Sequence, residues 1–240
     1  MQNDNEKIES LGCGINIITT KNHKFGMDAV LLSKFTRIKK DSRVCELGTG
    51  NGIIPLLWCR EYRNFTVDAV EIQPEAAQIA RRSAENCGLS DIINIINDDF
   101  KTTTVLKSEN YNIVVCNPPY KKIGTGPISE NDALKIANHE QYTTLEDVIK
   151  TASRLLKYGG SFYMCHRPER LADIFDLMRQ NRIEPKRLRL VQQRVNTRAM
   201  LILCEGKKQA KVGLITDPVL IVEDNGEYSA EMKEIYLKFK

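Results

Sequence analysis

The chain has 240 residues, of which 42% are hydrophobic and 28% charged, with no Pro-rich, Ser-rich or single-residue tract. That suits one α/β domain with room for a modest appendage, and argues against both two full domains and disorder. A formal charge of +4 and a pI near 8.6 fall short of the strongly basic signature of many nucleic-acid binders.

The seven cysteines are odd in number, scattered and never in a CxxC pair, which points away from a disulfide framework and a zinc site. Cys45, Cys116 and Cys204 lie inside apolar runs, where a free cysteine acts as a small hydrophobe. His23, His139 and His166 show no metal-ligand spacing, so no metal is expected. The polar start, MQNDNEKIES, lacks the features of a secretory signal and reads as a frayed arm. No apolar run approaches the roughly 20 residues that span a bilayer as a helix, and a soluble, cytoplasmic protein without membrane contact is expected.

In chain order, short apolar runs alternate with helical stretches, the rhythm of a parallel sheet wrapped by helices. The first helix is expected over Asp28–Arg37 with Asp28 as its cap, a role that suffices to explain Asp28 although it could also belong to the ligand pocket, and the first strand of the sheet over Arg43–Leu47. A glycine-rich turn, Gly48–Gly52, opens the next helix. Strands are then expected over Phe65–Glu71, Ile92–Ile96 and Tyr111–Cys116, with a helix from Pro74 to about Asn86. Asn117 to Thr143 reads as a long functional loop. A helix over Thr144–Lys157, capped by Thr144, leads through Gly159 and Gly160 into a strand over Ser161–His166. A further helix is expected over about Pro168–Gln180, and strands over Arg187–Val191 and Ala199–Cys204 give an antiparallel finish. The expected fold is Rossmann-like, a mostly parallel seven-stranded sheet with helices on both faces. Residues 1–24 form an arm, 25–211 the catalytic domain, and 212–240 an extension whose role the sequence does not reveal. The closely spaced Arg182, Lys186, Arg187, Arg189, Arg194 and Arg198 fit either a solvated face or a phosphate-contacting surface.

Directly after a hydrophobic strand, Glu46-Leu-Gly48-Thr-Gly50-Asn-Gly52 lets the backbone turn sharply and approach a ligand. Glu71 ends the next strand about 20 residues on, where a carboxylate can accept from two ribose hydroxyls. Asp99 or Asp98 can accept from an adenine amino group, and Phe100 offers a stacking face. Together they describe an adenosine pocket. The spacing is GxGxG and not the GxGxxG that aims a helix N-terminus at a pyrophosphate, which favours S-adenosyl-L-methionine over a dinucleotide.

Asn117-Pro118-Pro119-Tyr120 follows an apolar strand at the same sheet edge. The prolines hold the backbone extended, so that the Asn117 side-chain oxygen and the Pro118 carbonyl can both accept from one planar NH2 group. Such a nitrogen is a poor nucleophile because its lone pair is delocalised, and two acceptors on its hydrogens return charge to it. Tyr120, with Pro119 beside it, supplies a flat face for an extruded base.

In this order and spacing, VCELGTGNGIIPL, AVEIQ, NDDF and NPPY resemble the motifs of class I S-adenosyl-L-methionine-dependent methyltransferases over roughly residues 25–205. FGMDAVLLSKF before the turn, and His139-Glu140 followed by a helix, resemble the bacterial tRNA1(Val) adenine-N6 methyltransferase family; Asn138 departs from the arginine expected there. The resemblance implies that Glu46, Gly48, Gly50 and Gly52 hold the methionine part of the cofactor, Glu71 its ribose, and Asp99 and Phe100 its adenine. Asn117, Pro118 and Tyr120 would present the target nitrogen, with tRNA as partner and an anticodon-loop adenosine of a valine tRNA as substrate. The motif also serves glutamine-amide methyltransferases of release factors, DNA adenine enzymes and rRNA guanine-N2 enzymes. About 40 residues before the first strand of the sheet are too few for a helical release-factor-binding domain, and no insertion is large enough for a DNA target-recognition domain. A nicotinamide-dependent oxidoreductase would leave NPPY idle, and a non-catalytic adenosine-ligand sensor would have no use for it.

Overall fold

The computed structural model describes residues 6–118 and 143–237. Strands β1 (Lys7–Gly12) and β2 (Ile15–Thr19) form an antiparallel hairpin, followed by α1 (Met27–Phe35), β3 (Ser42–Leu47), α2 (Ile53–Glu61), β4 (Phe65–Glu71), α3 (Pro74–Asn86), β5 (Ile93–Asn97) and β6 (Tyr111–Cys116). After the undescribed span come α4 (Leu145–Leu155), β7 (Leu156–His166), a 3-10 turn at Pro168–Arg170, α5 (Leu171–Gln180), β8 (Ile183–Gln192) and β9 (Ala199–Lys208). The chain then forms four two-residue strands, β10 (Ile215–Thr216), β11 (Leu220–Ile221), β12 (Glu223–Asp224) and β13 (Glu227–Tyr228), and ends its described part in α6 (Ala230–Leu237).

Seven strands make the main sheet in the order β8-β9-β7-β6-β3-β4-β5, and all run parallel except β9, which is antiparallel to both neighbours. β10 and β11 add to the free edge of β8. Side chains alternate across the sheet with the period of a pleated strand. In β6, Ile113 and Val115 face one core with α1, α2 and α3, while Val114 and Cys116 face the other with α4 and α5. The same alternation runs through Phe162-Tyr-Met-Cys165 and Leu201-Ile-Leu-Cys204. Cys45, Cys116 and Cys204 are free and fully buried, as expected of small hydrophobes.

Three expectations change. From Lys7 onward the supposed frayed arm is the β1–β2 hairpin, which buries Leu11, Ile15 and Ile17 in the core beside α2 and α3; its alternation is too short and too polar at the start to announce a strand. Gly26, and not Asp28, is the N-cap of α1, and Asp28 lies in the first turn. Gly159 and Gly160 lie inside β7, and α4 ends at Leu155. The β6–β7 pairing jumps from Tyr111–Leu156 to Ile113–Ser161, which Gly159 accommodates at φ 70°. Thr144 does cap α4, in a reciprocal pair with Asp147.

Candidate active site

The register of the sheet assembles the cleft. Leu47 pairs with both Val70 and Cys116, and Glu71 with Asn97, so Gly48, Glu71, the Asp99 turn and Asn117 emerge along one edge. The strand order reverses between β3 and β6, and the crevice beyond the carboxyl ends of strands at such a switch point is where open α/β sheets bind ligands.

Two hollows share this edge. One, of about 610 Å³, is lined by Glu71, Ile72, Asp99, Phe100 and Pro118 among others. The other, of about 670 Å³, is lined by Asp28, Glu46, Thr49, Gly50 and Asn51 among others. Gly48 and Asn117 border both. They therefore stand where the two halves of one elongated ligand would meet.

The three glycines of the turn all have positive φ, at 73°, 58° and 82° for Gly48, Gly50 and Gly52. Their surroundings differ. A side chain at Gly48 or Gly50 would meet nothing within 4 Å, so both leave space open; a Cβ at Gly52 would lie 3.1 Å from Ala80 Cβ of α3. Gly52 lines neither hollow, and its lack of a side chain serves the packing of α2 on α3. The amides of Gly48 and Thr49 both donate to the Val70 carbonyl at 2.9 Å, which ties the turn to β4.

Glu46 is 1% exposed, and the Thr49 hydroxyl donates to its carboxyl. Burial pushes its pKa up to about 8 from the ordinary 4.5, against the lowering effect of Thr49 and with a smaller upward push from Glu71. Glu71 accepts from the Gly50 amide at 2.8 Å and from the Gln73 amide at 2.9 Å, one on each carboxylate oxygen. Each oxygen retains a lone pair for a hydroxyl donor.

Of the two aspartates after β5, it is Asp99 that reaches the cleft. Asp98 accepts from the Asp99 amide, and a hydrogen bond with Thr103 holds its carboxyl below the usual range. Phe100 lines the same hollow as Asp99.

Asn117 donates from Nδ2 to Asp28 Oδ2 at 3.2 Å, while its Oδ1 is buried with no hydrogen-bond partner among the described residues. An unpaired buried acceptor costs about 1–3 kcal/mol, and such orphans in native proteins call for a functional explanation. Pro118 lines the hollow beside it. Pro119 and Tyr120, together with Asn138, His139 and Glu140, lie outside the described residues. Thr49, Asn51 and Ile72, which the sequence does not single out, also line the cleft beside the residues they adjoin, and Asp28, a pocket candidate that capping would also explain, lines it too.

The described residues include no group of three or more His, Cys, Asp or Glu placed to hold a metal, and no helix long and apolar enough to cross a membrane. A long cleft with a bare glycine turn at its centre, a buried carboxyl on one side, and a carboxylate and an aromatic ring on the other matches the shape and polarity of S-adenosyl-L-methionine. Known proteins agree. The methyltransferase small domain profile matches residues 25–180. A Photorhabdus laumondii protein named tRNA1(Val) (adenine(37)-N6)-methyltransferase is 26% identical over 219 residues, covering 90% of this chain and 88% of its own. A Porphyromonas gingivalis protein of the same name is 26% identical over 234 residues, covering 93% and 88%. Among solved structures, an Agrobacterium tumefaciens protein described as a predicted O-methyltransferase superposes with a TM-score of 0.72 at 23% identity, over 89% of this chain and 97% of its own. A Streptomyces coelicolor geranyl diphosphate C-methyltransferase bound to S-adenosyl-L-homocysteine superposes with a TM-score of 0.55 at 13% identity, over 75% and 79%. The chain therefore belongs to the methyltransferase small-domain family, with a Rossmann-like fold and S-adenosyl-L-methionine as its cofactor.

Proposed function

We propose that this methyltransferase acts on N6 of an adenosine in tRNA, in the cytoplasm, with an anticodon-loop adenosine of a valine tRNA as its target. The observation that carries the reading is the buried Asn117 Oδ1, left without a partner among the described residues where the two hollows meet. The names of the relatives support tRNA adenine as the substrate class.

The bound cofactor supplies an electrophilic methyl group. Glu46, Gly48 and Gly50 would hold its methionine part, with Gly52 keeping the turn in shape. Glu71 would hold the ribose, and Asp99 with Phe100 the adenine. Asn117 Oδ1 and the Pro118 carbonyl would accept the two hydrogens of the adenine amino group. As positive charge grows on that nitrogen, both oxygens stabilise it more than they do the neutral amine, which is the condition for acceleration. The surplus proton then passes to water, so no strong base is required. Tyr120 and Pro119 would flank the extruded base.

The test is to incubate the protein with methyl-labelled cofactor and total tRNA lacking the modification, then digest to nucleosides. Label is expected in N6-methyladenosine. Asn117→Ala is expected to lower kcat by about 10²–10³-fold, the loss typical of removing one charge-stabilising group, while cofactor affinity holds within about threefold. Label on a protein glutamine amide, or on N2 of an rRNA guanine, would replace the tRNA reading with one of those activities.

A further inference from the structure

Among the described residues, Asp28 is the one carboxylate lining the cleft for which the proposed chemistry gives no task. Its place in the first turn of α1 suits the helix dipole, and Gly26 is the N-cap of that helix. Gly26 allows the side chain to fold back over the start of the helix, since a Cβ there would stand 2.3 Å from Asp28 Oδ1. In that position Oδ2 lies 3.2 Å from Asn117 Nδ2.

The chemistry of the pair determines which way the Asn117 amide faces. An ionised carboxylate only accepts, so the amide must present its NH2 to Asp28 and turn its oxygen away from α1. That is the orientation in which Oδ1 can accept from a target amine. Rotated by 180°, the same amide would offer NH2 to NH2 and repel the target. We infer that Asp28 is a positioning residue, one that fixes the Asn117 amide with its oxygen toward the nitrogen to be methylated, and that Gly26 supplies the room for it. The inference rests on the N-methylation reading for its effect on rate, but its geometry can be tested without any substrate.

The test compares Asp28→Ala, Asp28→Asn and Gly26→Ala with the wild type in full-length protein. Kinetics are run at saturating cofactor, with cofactor affinity measured by calorimetry. Asp28→Ala is expected to lower kcat at least about tenfold with the cofactor dissociation constant within about threefold. Asp28→Asn retains an acceptor oxygen but can also present its own NH2, so an intermediate kcat is expected. Gly26→Ala removes no polar group and displaces the carboxylate, and a kcat loss is expected there as well. A kcat within about threefold of wild type in Asp28→Ala, or a loss that appears only as weakened cofactor binding, overturns the inference; in the latter case Asp28 is a cofactor ligand. In parallel, the Asn117 side-chain amide is identified in the ¹H–¹⁵N spectrum by its absence from Asn117→Ala. A pair of proton signals displaced from the free-asparagine positions in the wild type and returned to them in Asp28→Ala supports a held amide, and wild-type signals at the free-asparagine positions overturn it. If the wild type methylates no RNA, the proposed substrate falls, and the spectrum alone then decides whether Asp28 holds Asn117.

Discussion

Glu46 is a carboxyl group almost without water, and its protonation sets an expectation for cofactor binding. Its pKa in the folded protein, about 8, lies above the ordinary 4.5. The stability it contributes is therefore full below about pH 4.5, declines as the pH rises, and is lost once the pH passes about 8. If Glu46 faces the ammonium group of the cofactor, binding favours the carboxylate and releases its proton. Affinity is then expected to rise with pH up to about 8 and to level off, and Glu46→Gln to flatten that dependence. Calorimetry in buffers of differing ionisation enthalpy measures the proton release. A pH-independent affinity in the wild type would show that Glu46 does not face the cation. The residue itself was legible from its place at the end of a strand before the glycine turn; its protonation was not, because burial is a property of the packed protein.

Among the elements, the turn between β3 and α2 joins two functions that the sequence displays as one motif. Gly50 leaves space at the cleft and Gly52 admits Ala80 of α3. Either glycine replaced by alanine takes on the strain of a positive φ, about 1–2 kcal/mol. Gly52→Ala adds overpacking against Ala80, typically a further 1–3 kcal/mol. A lower denaturant midpoint is therefore expected for Gly52→Ala than for Gly50→Ala, with Gly50→Ala the more harmful to cofactor binding at equal fraction folded. Equal midpoints would mean that α3 shifts to make room. The basic stretch around β8 likewise acquires a structural reading. Arg189 makes a bidentate pair with Glu231 at 2.7 Å, and Arg194 pairs with Glu223 at 3.1 Å. The buried Arg187 guanidinium stacks 3.8 Å from the Phe35 ring centroid, donates to the Phe35 carbonyl at 2.6 Å, and lies 3.5 Å from Glu205 and 3.2 Å from Asp217. Three of the six basic residues named for this stretch, Arg187, Arg189 and Arg194, thus meet acids of the chain's own C-terminal part.

For the whole molecule, residues 212–237 pack as a strap on the sheet and core that precede them. β10 and β11 pair with β8, and Leu220, Val222, Met232 and Ile235 are buried in the core beside α1 and α2. Each such side chain contributes about 1.5–3 kcal/mol by burial, against a net stability of about 5–15 kcal/mol for a typical domain. Truncation after Lys211 is therefore expected to abolish cooperative unfolding and to expose an aggregation-prone edge at β8. A truncated protein that unfolds in one sharp calorimetric transition near the wild-type temperature would refute that role.

The sequence by itself determined the alternation of strands and helices from the first strand of the parallel sheet to β9, the class of fold and the cofactor. The signals behind these are local: a period-two apolar run, a glycine turn directly after a strand, and NPPY after another. Phe65–Glu71, Pro74–Asn86 and Tyr111–Cys116 stand where the periodicity puts them. Tertiary structure decided what depends on distant partners: which of Asp98 and Asp99 lines the cleft, that Gly52 lies against Ala80 of α3, and that the arginines of β8 meet acids up to 42 residues away. It also brought Asp28 to Asn117, 89 residues apart in the chain. No local pattern encodes such a meeting, because it follows from the register of β3 against β6 and from the docking of α1 on the sheet.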